Sequence, residues 1–207
     1  MCASELKNKD LLLVREKNGA LCVGGDQHWY PKEGFLPMGA CGATTASNML
    51  CYMLRTRSAL FDAAGEPVPK ADYLEFMKKV YAFMYPRVGG LMVEGFCEGM
   101  TELTKELELP VSLKALRVPI AKSKRPSLDD VFAFIRAALE ADTPVAFLIL
   151  SSGRVEKLET WHWVTVIGLD ESKNRVTILD NTKVFTADLS KWLNNSIMGG
   201  SFVKLTT

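Results

Sequence analysis

Apolar positions recur with helical spacing from residue 41 to 55. Ala43, Ala46, Met49, Leu50, Met53 and Leu54 share one face, and Pro37 ends any earlier regular element, so a helix is predicted to begin at or beside Cys41. The same period predicts helices over residues 71–85, with Leu74, Met77, Val80, Tyr81 and Met84 on one face, and over 101–107. A fourth starts at Ser127, where a hydroxyl is followed three residues later by Asp130, the spacing of a capping box. Leu128, Val131, Phe132, Ile135, Ala138 and Leu139 give that helix its stripe, and it ends near Pro144.

Two short apolar runs, 11–14 and 20–23, flank Asn18-Gly19 and predict a β-hairpin. Further strands are expected over 111–118, 145–150, 161–169, 175–179, 184–186 and 201–205, with a short helix over 189–194. The run from Val145 to Leu150 is apolar at every position, as in a strand covered on both faces. Residues 57–69 read as a loop, and the glycine-rich stretch 89–99 as a loop or lid. Helices dominate the first two thirds and a mostly antiparallel sheet the last third. This is an α+β layout in one domain over 1–207, helical from about 39 to 110 and sheet from about 111 to 207.

Charge narrows the function classes. With 25 basic against 24 acidic residues and no long run of one sign, neither nucleic acid nor a membrane surface is an expected partner. The short basic run 122–125 reads as a solvated loop. Five cysteines, Cys2, Cys22, Cys41, Cys51 and Cys97, form no CxxC pair, which argues against a disulfide scaffold. With only two histidines there is no metal-ligand spacing, so neither metal nor cofactor is expected. No apolar segment is long enough for a signal peptide or a membrane span, which predicts a cytoplasmic location unless a leader has been removed.

A cysteine at a helix N-terminus sits where unpaired N–H groups and the helix dipole favour a thiolate, the nucleophilic form. Gly39 and Gly42 would let backbone approach whatever occupies the site; the alternative is a buried structural cysteine. A cysteine nucleophile needs a base, and His162 at the start of a predicted strand is the candidate. The base needs a third group to orient it. If the 170–174 turn centres on residue 171 or 172, Asp180 shares the face of His162, whereas a half-residue shift puts Asn181 there. Asp180 is the favoured partner. A core histidine remains the alternative for His162. Trp29, Trp161 and Trp163 either line a binding site or belong to the core.

The motifs resemble those of papain-like cysteine peptidases, most closely the C39-like branch. Cys41-Gly42-Ala43-Thr44 is similar to its helix start, with Ala43 for proline. His162-Trp163-Val164 and Gly168 resemble its His-strand. Val176 to Asp180 resembles its Asp-strand, with Asn181 where proline is usual. The resemblance implies a papain-like fold, a peptide or protein substrate, and Cys41, His162 and Asp180 as nucleophile, base and orienting acid. The family's oxyanion glutamine usually lies a few residues before the cysteine, where this chain has Phe35 and Leu36. Its sole glutamine, Gln27, is the candidate for that role or else a solvated loop residue. The motifs do not separate hydrolysis from acyl transfer to an amine. A binding protein without catalysis on the same scaffold is a third reading. Nothing in the sequence predicts the oligomeric state.

Overall fold

The computed structural model describes residues 3–33, 39–57, 65–84 and 90–206. Pro37, Phe35, Leu36, Tyr85, Gly89 and most of the loop expected over 57–69 lie outside them. The chain forms strands β1 (Ala3–Glu5), β2 (Leu13–Arg15) and β3 (Leu21–Val23), then α1 (Cys41–Arg57), β4 (Val68–Pro69), α2 (Lys70–Met84) and α3 (Val93–Glu106). It continues through β5 (Ser112–Val118), α4 (Leu128–Glu140), β6 (Val145–Ile149), β7 (His162–Asp170), β8 (Arg175–Asp180), β9 (Lys183–Asp188), α5 (Leu189–Asn195) and β10 (Gly200–Thr206). The large sheet runs β5-β10-β6-β7-β8-β9, with β1 added to the free half of β7. All its pairings are antiparallel. A second, small sheet joins β2, β3 and β4. This is an α+β arrangement.

Helices cover both faces of the large sheet. The all-apolar β6 divides its side chains: Phe147 and Ile149 enter one core with Val131, Ile135 and Trp192, while Ala146 and Leu148 enter the other with Met49, Met77 and Phe96. Helix α1 is buried on more than the one face that its apolar stripe marks. Cys41 through Arg55 are all buried, because α2, β6, β7 and the turn Lys9–Leu12 surround it. A helix buried all round makes a rigid mount for its first residue. No helix among the described residues is long and apolar enough to cross a membrane.

The loop or lid expected over 89–99 is corrected from Val93 onward. Val93–Glu106 is one continuous helix that also absorbs the short helix expected from Thr101. Its glycines serve packing: a Cβ on Gly99 would come within 2.4 Å of the Phe83 carbonyl oxygen on α2. The Asn18-Gly19 hairpin forms as expected, with β2 antiparallel to β3, and so does the capping box between Ser127 and Asp130.

Register in the β7–β8 hairpin positions the site. Near the turn Gly168 faces Thr177 and Asp170 faces Arg175; past Ile167 the pairs become Val166 with Ile178 and Thr165 with Leu179. The turn itself thus closes in the register that would face Asn181 to His162. A β-bulge at Ile167 then shifts the strand by one residue and puts Asp180 on the face of His162 and Val164.

Candidate active site

Cys41 is the first residue of α1 and only 7% exposed. The residue after it is glycine, and any larger side chain there would press on its neighbours. A Cβ on Gly42 would lie 2.8 Å from Leu91 Cδ2 and 3.3 Å from Trp163 Cδ1. Trp163 is accordingly a core residue and not cleft lining: it is 2% exposed, stacks on Phe96 with centroids 4.4 Å apart, and its indole N–H donates to the Leu91 carbonyl at 2.7 Å. The first turn of α1 therefore rests on an aromatic floor supplied by the strand that carries His162.

His162 Nε2 lies 2.9 Å from Asp180 Oδ1. The Cys41 side chain lies near enough to the same imidazole to favour its protonated form, and with Nε2 facing Asp180 the free ring nitrogen is Nδ1. Cys41, His162 and Asp180 are thus brought together. Burial disfavours a charged imidazole, but the hydrogen bond to Asp180, the nearby Cys41 sulfur and the negative charges on both outweigh it, raising the pKa of His162 from 6.5 to about 10. The sign of the linkage follows. Stability contributed by a group whose folded pKa is raised is complete below pH 6.5 and is lost as pH rises to about 10. Urea unfolding at stepped pH is expected to show the wild type losing stability over that window relative to His162→Phe. Parallel profiles would mean that the folded protein does not hold the imidazole protonated.

Gln27 begins a single 3-10 turn, Gln27–Trp29, capped by the Asp26 carboxylate, which accepts from the His28 N–H at 2.8 Å. The Gln27 N–H donates to Asn181 Oδ1 at 3.0 Å, so the turn is held against the residue that follows Asp180. The approach to this turn is tied to α1 by Asn48, whose Oδ1 accepts from the Gly25 N–H at 2.9 Å and the Tyr73 hydroxyl at 2.8 Å. Asn48 Nδ2 donates to Thr165 on β7 at 3.2 Å. Sequence reasoning missed Asn48; the available signal was a carboxamide directly before the apolar run Met49-Leu50 of a helix. Trp29 packs edge-on to Tyr73 and carries Lys70 Nζ 4.2 Å above its ring. Trp161, immediately before His162, is 53% exposed in a left-handed conformation with φ 59°.

Two clefts touch this cluster. One of about 460 Å3 is lined by Met84, Leu91, Met92 and Glu98 among others, and its Leu91 packs on Gly42. The other, about 700 Å3, is lined by Asp26, His28, Lys157 and Asp180 among others. Among the described residues no group of three or more His, Cys, Asp or Glu side chains is arranged to hold a metal ion.

No protein-family model matches the chain, and no curated protein matches it. Solved structures do. UfSP from C. elegans is similar over 99% of this chain and 34% of that one, with a TM-score of 0.52 at 11% identity. The chain has the papain-like cysteine peptidase fold. About a third of the UfSP chain thus corresponds to this papain-like unit. The peptidase domain of Streptococcus ComA, a bi-functional ABC transporter involved in a quorum sensing pathway, is similar over 83% of this chain and 94% of that one, with TM-score 0.44 and 11% identity. A double glycine motif protease from an AMS/PCAT transporter, solved in complex with the leader peptide, covers 82% and 86%, with TM-score 0.41 and 12% identity.

Proposed function

We propose that this chain is a cysteine hydrolase that cleaves a peptide or amide bond. The observation that supports this reading is one imidazole hydrogen-bonded to Asp180 and close to Cys41, with Cys41 at the start of a buried helix. A protonated His162 beside Cys41 holds the sulfur as the thiolate half of an ion pair. The thiolate adds to the substrate carbonyl carbon, and the carbonyl π electrons move onto oxygen to give a tetrahedral oxyanion. The Cys41 backbone N–H and the Gln27 carboxamide stabilise that charge. As the oxyanion collapses, the C–N bond breaks and His162 gives its proton to the leaving amine, leaving an acyl thioester on Cys41. Water, deprotonated by the now neutral His162, attacks the thioester; the acid leaves and the ion pair is restored. Asp180 keeps the imidazole oriented and balances its charge throughout. The substrate is a peptide or protein segment.

Selective alkylation tests the reading without knowledge of the substrate. Burial pushes the Cys51 thiol up to about 12 and raises those of Cys22 and Cys97. Iodoacetamide at about pH 7 is therefore expected to modify Cys41 ahead of these three, as mapped by mass spectrometry, because the thiolate is the reacting form. His162→Ala should abolish that preference. Labelling spread over the cysteines and unchanged in the variant would favour a binding protein without catalysis.

A further inference from the structure

We infer that Asn181 is a positioning residue that sets the oxyanion site by holding the Gln27 turn against the strand end carrying Asp180. The inference rests on the hydrolase reading above and extends it to a residue that touches neither Cys41 nor substrate in that scheme. The geometry has three parts. Asn181 directly follows Asp180, whose carboxylate binds His162. Its side-chain oxygen accepts the Gln27 N–H at 3.0 Å across 154 residues of sequence. Its backbone is left-handed, φ 44°, as is that of Thr182 at φ 64°, where β8 turns into β9.

Each part restricts the residue type. Asparagine tolerates the left-handed region better than most residues, while proline, with φ locked near −65°, is excluded. The neutral carboxamide accepts a backbone N–H without putting a second negative charge beside Asp180, where it would compete for the imidazolium. The same N-terminal end of the Gln27 turn is capped by Asp26, and the preceding Gly25 is tied to Asn48. The turn is thus held from α1 on one side and from the β8 end on the other. One residue step of backbone therefore links the group that orients the imidazole to the group that orients the glutamine, so that base and oxyanion donor move as one body.

Two reagents separate this role from a general structural one. Iodoacetamide alkylates a thiolate by direct displacement of iodide and builds no oxyanion. p-Nitrophenyl acetate is attacked at its carbonyl, passes through a tetrahedral oxyanion and expels p-nitrophenolate to leave an acetyl thioester on Cys41. Asn181→Gly keeps the left-handed backbone at no steric cost and removes the acceptor; Asn181→Asp keeps the acceptor. Acetylation of Cys41 is expected to fall about tenfold in Asn181→Gly, a fraction of the loss typical for deleting an oxyanion donor outright. Alkylation should stay within about twofold of wild type, since the Cys41–His162 contact is untouched. Asn181→Asp, which keeps the acceptor but adds a charge beside Asp180, should recover acetylation in part, to a rate between those of Asn181→Gly and wild type. Adding Gln27→Ala to Asn181→Gly should cost less than the two single losses combined, because both act through one donor.

Unchanged acetylation in Asn181→Gly would overturn the inference. So would acetylation and alkylation falling together, which would assign the effect to the Cys41–His162 pair. A wild type that is alkylated at Cys41 but never acetylated by the ester would overturn the hydrolase reading itself, and this inference with it.

Discussion

His162→Ala is expected to slow acetylation of Cys41 by p-nitrophenyl acetate by about 10⁴-fold or more, the scale on which loss of the base in a nucleophile–base pair is felt. The variant loses the positive partner that keeps the sulfur a thiolate, the role of His162 that this ester reads, since p-nitrophenolate leaves without a proton. Asp180→Ala should act in the same direction but less, about 10²- to 10³-fold. Without the carboxylate at 2.9 Å, burial of the imidazole is opposed by Cys41 alone, and the pKa of His162 falls. The two losses should not multiply in the double variant, because Asp180 acts only through His162. The check is the burst of p-nitrophenolate, with the acetyl group located by mass spectrometry and circular dichroism confirming the fold. A His162→Ala rate within tenfold of wild type would sink the assignment of His162 as base.

Asn48→Leu is expected to give the largest loss of stability among single changes near the site, about 3–4 kcal/mol. The two side chains share heavy-atom number and branching, so the main cost is that of stranded polar groups, with some crowding from the bulkier methyls added. The Gly25 N–H and the Tyr73 hydroxyl lose their acceptor, and the Thr165 hydroxyl loses its donor, all in a buried environment. Each such group costs about 1–3 kcal/mol when left unpaired, partly recovered where a side chain swings away. Urea unfolding with a common slope would read the change directly. A loss below about 1 kcal/mol would mean that relaxation or water satisfies these groups. Because Asn48 also ties α1 to the Gln27 turn, acetylation should fall in the folded fraction as well.

The parts legible in the sequence were those written in local pattern. Cys41 opens a helix because small and apolar residues follow it with helical spacing, and the Ser127 box and Asn18-Gly19 turn carry their own signals. What the sequence hid is non-local. Trp161 and Trp163 are chemically identical and two positions apart, yet one is 53% exposed and the other 2%; Trp161 precedes β7 with a left-handed backbone, so the strand geometry that buries Trp163 does not extend to it. Gly95 and Gly99 suggested flexibility, whereas the structure places them in α3, with Gly99 under the α2 backbone. The strand Ala3–Glu5 has no apolar alternation and exists because β7 extends past the end of β6 and offers it an edge. Gln27 and Asn181 each departed from the resembled pattern separately, and only the hydrogen bond between them shows that the departures belong together.

Ile167 carries a consequence for how such a site changes over time. Its bulge makes the partner of the imidazole depend on how many residues β7 contains, and not only on which residues stand at the end of β8. Asp180 and Asn181 are neighbours in the chain, one an anion and the other neutral. Loss of a single residue from β7 would exchange a carboxylate for a carboxamide beside His162 while leaving both codons untouched. Length variation in a strand is usually read as wear on the scaffold. Here it is a way to rewrite the charge of the site, and two hydrogen-bonding chemistries lie one deletion apart.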